Sequence, residues 1–439
     1  MKQFSKTLYQ ARIALSYRDI LRTRIKPVFK HQIKKAHEQF LKAMRSLKDK
    51  EIIEVAFFLT IPGMWKSDYV FRAMKNSPKY HPYVVILPYS SYKGFNDSES
   101  YETLRKTEEY IRSKGYEYII PYNEVTKKWE DIKKALNPDI VFYSSPYKDN
   151  IPEYYVYHYI DKGTFYIPYG FITMNSYSTQ YNLVFPNLVG CNLIETEMHL
   201  SFAKKYGRSN GINYAVVGFP SAEAYMRGDY QSRDVWKPQS HRKKKIIWAP
   251  HHSIDLEGGL DVSTFLSYYE EMLRLAKKYE NEVQFAFKPH QTLKFKLELL
   301  WGKEKTYDYY HKWEIMSNGQ LEESEYIDLF IHSDAMIHDS GAFTTEYLFV
   351  HKPVMYLVKN NNIRKQFNAF GLKSFDQHYQ GHSVENIEEF IQEVVIKGND
   401  PMKDQRERFF EKQLKNKDGI LPSQKILRVI EQYINGDLS

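Results

Sequence analysis

The chain has 439 residues, 42% of them hydrophobic, which is enough for two domains with buried cores. It contains no run of about 18 apolar residues, so we expect no transmembrane helix, and no apolar segment at the N-terminus that would act as a secretory signal. A single cysteine, Cys191, excludes an internal disulfide and a cysteine-based metal cage, and it favours the cytoplasm.

The first 50 residues are strongly basic. They contain 14 lysines and arginines against three acids, a net +11, so with a formal net charge of +8 the remaining residues carry −3. Beyond Pro27 in this segment, apolar residues recur at helical spacing among the cations: Ile33, Ala36, Phe40, Met44 and Leu47. We expect residues 1–50 to form a basic amphipathic helical segment on an anionic membrane surface. The alternative is a helix packed on the body with a solvated basic face.

From residue 52 the chain alternates between apolar runs and helical patterns, which predicts parallel βαβ units. The predicted strands are Val55–Leu59, Tyr83–Leu87, Tyr118–Ile120, Ile140–Tyr143, Phe165–Ile167, Tyr214–Val217, Ile246–Ala249, Val283–Phe287, Ala335–Ile337 and Val354–Val358. The predicted helices are Ser67–Lys75, Tyr101–Lys114, Lys127–Leu136, Glu153–Asp161, Ser263–Tyr279, Glu322–Phe330, Phe343–Val350, Val384–Ile396, Gln405–Lys415 and Ser423–Tyr433.

The alternation restarts after a turn at residues 218–221, so we expect two α/β domains of similar size. The predicted fold is two Rossmann-like domains facing each other across a cleft. The N-terminal domain would cover residues 51–222, and the C-terminal domain would cover residues 223–439 with the closing helices. Ligands in such sheets bind beyond the carboxyl ends of the strands, so the loops that follow strands are the place to look for a site.

Three loops of the C-terminal half follow strands, and each carries histidine. They contribute the candidate donor-binding and catalytic residues Pro250, His251, His252, Lys288, His290, His338, Asp339, Ser340 and Gly341. Thr344 and Glu346 lie in the first turn of the helix that follows the third loop, where free N–H groups and the helix dipole favour an anion. Lysine, imidazole and a helix N-terminus together suit a diphosphate. Glu346 is a candidate acceptor for ribose hydroxyls.

In the N-terminal half, two loops that follow strands would meet the acceptor. They contribute the candidate acceptor-binding residues Trp65, Lys66 and Gly170, together with the candidate catalytic residue Tyr169. The alternative for these loops is ordinary turn chemistry with a packed aromatic ring. Metal ligation by the clustered histidines is a weaker interpretation, because the one His-x-x-x-His spacing, His378 and His382, is interrupted by Gly381. We therefore expect neither a metal ion nor a cofactor.

The motifs occur in an order that resembles the CDP-glycerol glycerophosphotransferase family of teichoic-acid polymerases and primases. They are Gly218-Phe219-Pro220, Trp248-Ala249-Pro250-His251, Lys288-Pro289-His290, His338-Asp339-Ser340-Gly341-Ala342-Phe343 and Lys352-Pro353-Val354-Met355-Tyr356. The resemblance covers residues from about 52 to 400. It implies a glycosyltransferase B fold and a peripheral enzyme on the inner face of the cell membrane. Such an enzyme moves glycerol phosphate from CDP-glycerol to a hydroxyl of a lipid-linked glycan or surface polymer and releases CMP, in teichoic-acid or capsule synthesis.

Within the resemblance, His290 matches the histidine of the family's Lys-x-His element. Asp339 and Ser340 match a donor-phosphate turn, and Pro250 with His251 matches an Ala-Pro-Thr element near the donor. The chain departs from the family at two places: Tyr169 replaces a histidine, and the donor turn reads Asp-Ser-Gly-Ala. We therefore expect His290 or His251 to stabilise charge or transfer a proton, and Tyr169 and Lys66 to orient the acceptor. The general base stays open.

The sequence is also compatible with two other interpretations. One is a metal-independent glycosyltransferase of the same fold that uses a nucleotide sugar for capsule or lipopolysaccharide synthesis, and ribitol phosphate is a further alternative as the transferred group. The other is a non-enzymatic protein that binds membranes or nucleic acid through the basic segment. The net charge of −3 on the remaining residues argues against nucleic acid.

Overall fold

The computed structural model describes residues 30–89, 98–147, 149–254, 260–323 and 326–438. Two parallel sheets organise the chain. The first sheet consists of β1 Ile53–Leu59, β2 Tyr80–Ile86, β3 Tyr118–Ile119, β6 Ile140–Tyr143, β7 Gly163–Tyr166, β8 Cys191–Ile194 and β9 Tyr214–Val216, and a short antiparallel pair, β4 Tyr122–Asn123 and β5 Lys128–Trp129, lies outside it. The second sheet consists of β10 Lys244–Ala249, β11 Val283–Phe287, β12 Gly319–Leu321, β13 Ala335–His338, β14 Val354–Leu357 and β15 Tyr379–Gly381.

The helices surround these strands. They are Lys30–Arg45, Asp68–Lys75, Ser98–Ser113, Ile132–Ala135, Tyr177–Tyr181, Val184–Leu188, Glu197–Tyr206, Glu223–Met226, Phe265–Lys278, Leu293–Trp301, Lys303–Ile315, Ile327–His332, Phe343–Glu346, Ala369–Phe375, Val384–Glu389, Lys403–Phe409 and Pro422–Asn435. Among the described residues, no helix is both long enough and apolar enough to span a membrane.

Both sheets have a doubly wound strand order. The second sheet runs β12-β11-β10-β13-β14-β15, and the first runs β3-β2-β1-β6-β7-β8-β9. In each, the order reverses beside the first strand of the unit, between β10 and β13 and between β1 and β6. The crevice beyond the carboxyl ends of the strands at such a reversal is where doubly wound sheets bind ligands. The predicted α/β class with two Rossmann-like sheets is confirmed.

The strands form because their apolar runs are covered on both faces, as parallel sheets require. In β1, Val55, Phe57 and Leu59 belong to one buried cluster, whereas Ala56 and Phe58 belong to the cluster on the opposite face. In the second sheet, Ile246 and Trp248 of β10 lie in a cluster with the buried face of the helix Phe265–Lys278.

The chain divides into two compact units, each built around one sheet, and their limits differ from the predicted domains. Residues 416–438 belong to the unit of the first sheet, whereas residues 171–175 belong to the unit of the second sheet with Ala224–Lys415. The helix Pro422–Asn435, expected to close the C-terminal domain, instead places Ile426 and Ile430 in the core of the first sheet. Its apolar face completes that core. The sequence did not indicate this contact because almost 400 residues separate the helix from the first strand.

The basic N-terminal segment is described only from residue 30 onward, and the expectation for residues 1–29 lies outside the described residues. The helix Lys30–Arg45 packs on the first sheet and buries Ile33, Ala36, Phe40 and Met44. Phe40 contacts Phe165 and Tyr433 edge to face. The apolar stripe of this helix is therefore part of the protein core, as in the alternative interpretation, and the exposed residues are polar, most of them cations.

Candidate active site

Three loops of the second sheet meet where its strand order reverses. β10 pairs with β13 and with β11, so the residues that follow them emerge at the same edge. The backbone holds the loops together, because the N–H of Lys288 donates to the carbonyl oxygen of Trp248 and the N–H of His290 donates to that of Pro250. The predicted convergence of the three histidine-bearing loops is thus found within this unit.

Two of these loops bring together a cluster of three imidazoles. The ring centroid of His252 lies 4.2 Å from that of His251 and 4.2 Å from that of His290, and the rings of His251 and His290 are 5.2 Å apart. His251 is buried, His252 is intermediate and His290 is exposed. The cluster therefore runs from the interior of the sheet edge to its surface, and His290 is the member that a ligand meets first.

The backbone fixes the tautomer of two of these rings. The N–H of Ser253 donates to Nδ1 of His251 over 3.2 Å, and the N–H of Thr292 donates to Nδ1 of His290 over 3.3 Å. A backbone N–H only donates, so both Nδ1 atoms accept and each neutral ring carries its proton on Nε2. Both rings therefore present an N–H donor at Nε2.

The imidazoles are neutral at physiological pH. Burial, followed by the charges of His290 and Lys296, holds the pKa of His251 well below its usual range. Desolvation and the ammonium groups of Lys296 and Lys288 lower the pKa of His290 to about 4. These rings are consequently neutral hydrogen-bond donors and add no positive charge to the site.

Two lysines supply the positive charge. Lys288 and Lys296 are both buried, and the side chain of Lys288 also donates to the carbonyl oxygen of Glu322 over 3.5 Å. Lys296, on the helix Leu293–Trp301, was not predicted as a site residue. It lies one helix beyond Lys288 and His290 and lowers the pKa of each histidine in the cluster. The sequence signal that could have identified Lys296 is a lysine in the first helix after a strand-end loop.

Asp339 lies inside the sheet edge and organises it. One of its carboxylate oxygens accepts from the N–H of His251 over 2.5 Å, and the other accepts from the N–H and hydroxyl of Thr264 over 2.5 and 2.8 Å. Burial raises the pKa of this carboxyl to about 6, although those hydrogen bonds oppose the shift. The expected contact of Asp339 with donor phosphate is therefore replaced by a positioning role, because its two oxygens are occupied by the neighbouring loop.

The helix start after β13 differs from the predicted phosphate cradle. One α-helical turn, Phe343–Glu346, continues as the 3-10 turn Tyr347–Val350, so the helix dipole is short. The hydroxyl of Thr344 donates to the carbonyl oxygen of Ser340 over 2.8 Å. His338 is fully buried, and its Nδ1 accepts from the N–H of Ser340. These groups stabilise the turn itself.

Glu346 and Gly341 hold the segment 171–175 in this unit. One carboxylate oxygen of Glu346 accepts from the N–H of Phe171 over 3.0 Å, and the other accepts from the hydroxyl of Tyr326. The carbonyl oxygen of Gly341 accepts from the hydroxyl of Thr173 over 2.7 Å. A Cβ atom at Gly341 would approach the Met174 sulfur to 2.8 Å, so a larger residue there would force the Met174 side chain to move. The buried, bonded Glu346 is not placed to receive ribose hydroxyls.

The candidate acceptor residues lie in the unit of the first sheet and differ in their exposure to solvent. Trp65 is buried in the core against Phe57 and Phe71, and its indole N–H donates to Asp68 over 3.0 Å, so it is a packed aromatic and does not face a ligand. Lys66 and Gly170 are partly exposed. Tyr169 hydrogen-bonds to Tyr147, and that neighbour together with burial holds its pKa well above the usual range. Tyr169 therefore keeps its proton and does not act as a base.

The fold and this site define the class of the protein. The chain has two doubly wound parallel sheets, as in the glycosyltransferase B fold. The second sheet carries a lysine and imidazole cluster at its strand ends, where such sheets bind nucleotide phosphates. Solved structures share this fold at low sequence identity. Staphylococcus aureus MnaA in complex with UDP is 15% identical, with a TM-score of 0.54 over 87% of this chain and 97% of that chain.

Two further structures are similar in the same way. The wall teichoic acid polymerase TagF, a histidine-to-asparagine variant soaked with CDPG, is 12% identical, with a TM-score of 0.54 over 94% of this chain and 100% of that chain. UDP-GlcNAc 2-epimerase from Neisseria meningitidis bound to UDP-GlcNAc is 14% identical, with a TM-score of 0.50 over 87% of this chain and 99% of that chain. At this level of identity the likeness concerns the fold alone.

The amino-acid sequence identifies the family of the protein. Residues 195–432, more than half of the chain, match the profile of the CDP-glycerol:poly(glycerophosphate) glycerophosphotransferases. No curated protein sequence matches the chain significantly. The chain belongs to the CDP-glycerol:poly(glycerophosphate) glycerophosphotransferase family, and it is a transferase of glycerol phosphate. This confirms the resemblance found in the motifs and favours glycerol phosphate transfer over the nucleotide-sugar alternative.

Proposed function

We propose that the enzyme transfers glycerol phosphate from CDP-glycerol to a hydroxyl of a lipid-linked glycan or surface polymer and releases CMP. The observation that carries this proposal is the cluster of His251, His252 and His290 with Lys288 and Lys296 at the reversal of the second sheet. Two ammonium groups and two Nε2–H donors suit the two phosphates of the donor.

The proposed chemistry is an in-line displacement at the phosphorus that bears glycerol. The acceptor oxygen forms a bond to this phosphorus. The bond between this phosphorus and the bridging oxygen of the diphosphate breaks. The Nε2–H groups of His290 and His251, together with Lys288 and Lys296, stabilise the negative charge that grows on the departing CMP. One such donor typically contributes about 10²–10³-fold to turnover.

The donor assignment is tested by thermal unfolding and turnover with a panel of nucleotides. We expect CDP-glycerol and CDP to raise the melting temperature, whereas UDP and UDP-sugars do not, and we expect CMP release only when a polyol-phosphate acceptor is present. The control is the double variant K288M/K296M, which should lose the stabilisation by CDP. Stabilisation by UDP-sugars alone would overturn the assignment.

For the cellular location, we propose that the enzyme lies on the inner face of the membrane through charge alone. In the helix Lys30–Arg45 and the turn after it, Lys34, Lys35, Lys42 and Arg45 are exposed, whereas the apolar face is buried. A cation near an anionic surface contributes about 1 kcal/mol. Sedimentation with vesicles of anionic lipid should therefore decrease with added salt and with the variant K34E/K35E/K42E, and binding to neutral vesicles would contradict this.

A further inference from the structure

The unit of the second sheet has an open groove at the edge opposite the imidazole cluster. The groove has a volume of about 340 Å³, and it is lined by residues of the helix Ala369–Phe375, of the segment before β15 and of the helix Lys403–Phe409 with the turn after it. β15 runs parallel to β14, so Asp376 and Gln377, which precede β15, lie at the amino ends of the strands. The imidazole cluster follows the carboxyl ends of β10 and β11 in the same sheet. The groove is therefore separate from the donor site.

Three cations line this groove without an acidic partner. The side chains of Lys373, Arg408 and Lys412 are exposed, and among the described residues no carboxylate lies within ion-pair distance of any of them. Asp376, the acid among the lining residues, is paired with Arg364 over 2.6 Å. The groove therefore presents three positive charges that no neighbouring acid neutralises.

The acids of the adjoining helix are paired with cations outside the groove. Glu407 lies 4.0 Å from Lys403, and Glu411 lies 2.7 Å from Lys415. The charges of both glutamates also act on His351 and oppose the lowering of its pKa by burial. These acids thus leave the three cations of the groove available to an anion.

Two of the cations are spaced to hold one phosphate group. Arg408 and Lys412 are four residues apart, across the point where the helix becomes a single π-helical turn, Phe410–Leu414. Like charges at this spacing destabilise a helix, and such π-helical turns are frequent at functional sites. An anion between the two side chains removes their repulsion, and a guanidinium gives a phosphate two parallel hydrogen bonds.

The groove also offers acceptors for hydroxyl groups. The amide of Gln405 donates to the carbonyl oxygen of Asp376 over 2.6 Å, and its own oxygen has no partner within the described chain. Gln413 is partly exposed in the groove, and its amide makes no hydrogen bond to another described residue. Amide oxygens accept from hydroxyls, whereas lysine and arginine donate to phosphate. This combination matches a ligand with both groups, a polyol phosphate.

We propose that the groove binds a phosphodiester-linked polyol chain, the polymer that the enzyme extends, and this choice of ligand rests on the proposed function. Phosphates of the chain bind Lys373, Arg408 and Lys412, and its hydroxyls donate to the amides of Gln405 and Gln413. A chain held at a second point stays at a high effective concentration near the donor site after each transfer. The groove therefore favours repeated extension of the same chain.

The first test is a binding titration of the full-length protein with fluorescently labelled poly(glycerol phosphate). The variant R408E/K412E should bind at least about tenfold more weakly, since it loses charge-assisted hydrogen bonds, and binding to the wild type should weaken with added salt. The control K303E/K312E makes the same change of charge at exposed lysines of the helix Lys303–Ile315 and should bind as the wild type does. Equal binding by R408E/K412E and the wild type would overturn the proposal.

Competition identifies the occupant of the groove. Unlabelled poly(glycerol phosphate) should displace the labelled chain from the wild type more effectively than inorganic polyphosphate, which has no hydroxyl groups along its chain. A DNA oligonucleotide or vesicles of anionic lipid that compete more strongly than the polyol phosphate would overturn this choice of ligand.

Kinetics separates the groove from the donor site. In R408E/K412E, the KM for a long polymer acceptor relative to that for an acceptor of one repeat should rise about tenfold, while CDP still raises the melting temperature. An unchanged ratio would contradict the proposal. A wild type that binds the polymer through Arg408 and Lys412 but transfers no polyol phosphate from any CDP-linked donor would overturn the proposed function alone.

Discussion

The carboxylate of Asp339 accepts the backbone N–H of His251 over 2.5 Å, and this bond joins the loops after β13 and β10 where the strand order of the second sheet reverses. Its other oxygen accepts from Thr264, directly before the helix Phe265–Lys278. A residue that touches no substrate in our proposal thus sets the position of the imidazole cluster.

The variant D339N should destabilise the protein by about 1–3 kcal/mol. Asparagine has one oxygen, so either the N–H of His251 or that of Thr264 loses its acceptor inside the protein. Denaturant unfolding measures the loss, and the affinity for CDP should fall with it because His251 shifts. The control D376N changes an exposed carboxylate paired with Arg364 and should cost less; equal losses in both variants would contradict the positioning role.

The variant H290A should lower turnover by about 10²–10³-fold, as expected for removal of one preorganised donor. The melting temperature should change little because this ring is exposed. H290N, whose amide also offers an N–H donor, should recover part of the activity, and H311A removes a partly exposed histidine as a control. Turnover of H290A at the wild-type level would exclude His290 from the site.

A chelator should leave the activity unchanged. Among the described residues, His251, His252 and His290 form one group whose ring nitrogens lie within 4.8 Å of one another, a spacing that could hold a metal ion. Metal ligation at Nε2 of His251 or His290 would move the proton to Nδ1, where it would oppose a backbone N–H. Dialysis against EDTA followed by an assay tests this, and activity lost and then restored by a divalent ion would show a metal-dependent enzyme.

The variant W65F should keep its activity within about twofold while losing roughly 1 kcal/mol of stability, because Phe fills most of the indole volume but loses one hydrogen bond to Asp68. K66M changes a partly exposed neighbour and is the variant expected to weaken acceptor use. Kinetics at varied acceptor concentration separate the two residues. If W65F had a raised KM for the acceptor and unchanged stability, Trp65 would be an acceptor-binding residue after all.

Acid should weaken the contribution of buried His378. Burial lowers its pKa to about 3, and its Nδ1 lies 2.9 Å from the carbonyl oxygen of Ser374. Below about pH 6.5 the His378 ring binds a proton in the unfolded chain but not in the folded protein. The contribution of His378 to the free energy of unfolding is therefore complete above that pH and is lost as the pH falls. Between pH 7 and 5, the stability difference between wild type and H378N should shrink by up to about 2 kcal/mol; H382N, at an exposed position, should show no such change.

Much of the second sheet was predictable because its longer strands are mostly apolar and are followed by polar loops. The strand β11, Val283–Phe287, has its predicted limits. Strands without such a run were missed, among them β12 Gly319–Leu321 and β15 Tyr379–Gly381, which are formed by pairing with a neighbour. The predicted helix Glu153–Asp161 is a pair of 3-10 turns that bury Tyr154 and Val156.

The site was predictable as a set of loops but not as a set of roles. The order of strands brings His251 and His290 together, which periodicity and loop position indicate. Which side chain faces a ligand depends on hydrogen bonds between distant residues, such as Glu346 with Phe171 and Asp339 with Thr264.

The return of the helix Pro422–Asn435 to the first sheet affects how the protein is made. Ile426 and Ile430 complete a core whose other members, such as Phe57 and Phe165, are synthesised hundreds of residues earlier. A ribosome therefore releases nearly the whole chain before the first unit can close, while most of the second unit is contiguous and available to fold sooner. A nascent or truncated chain that lacks its last helix exposes an apolar sheet face, so loss of only about twenty residues at the end should make the protein a substrate for chaperones and proteases.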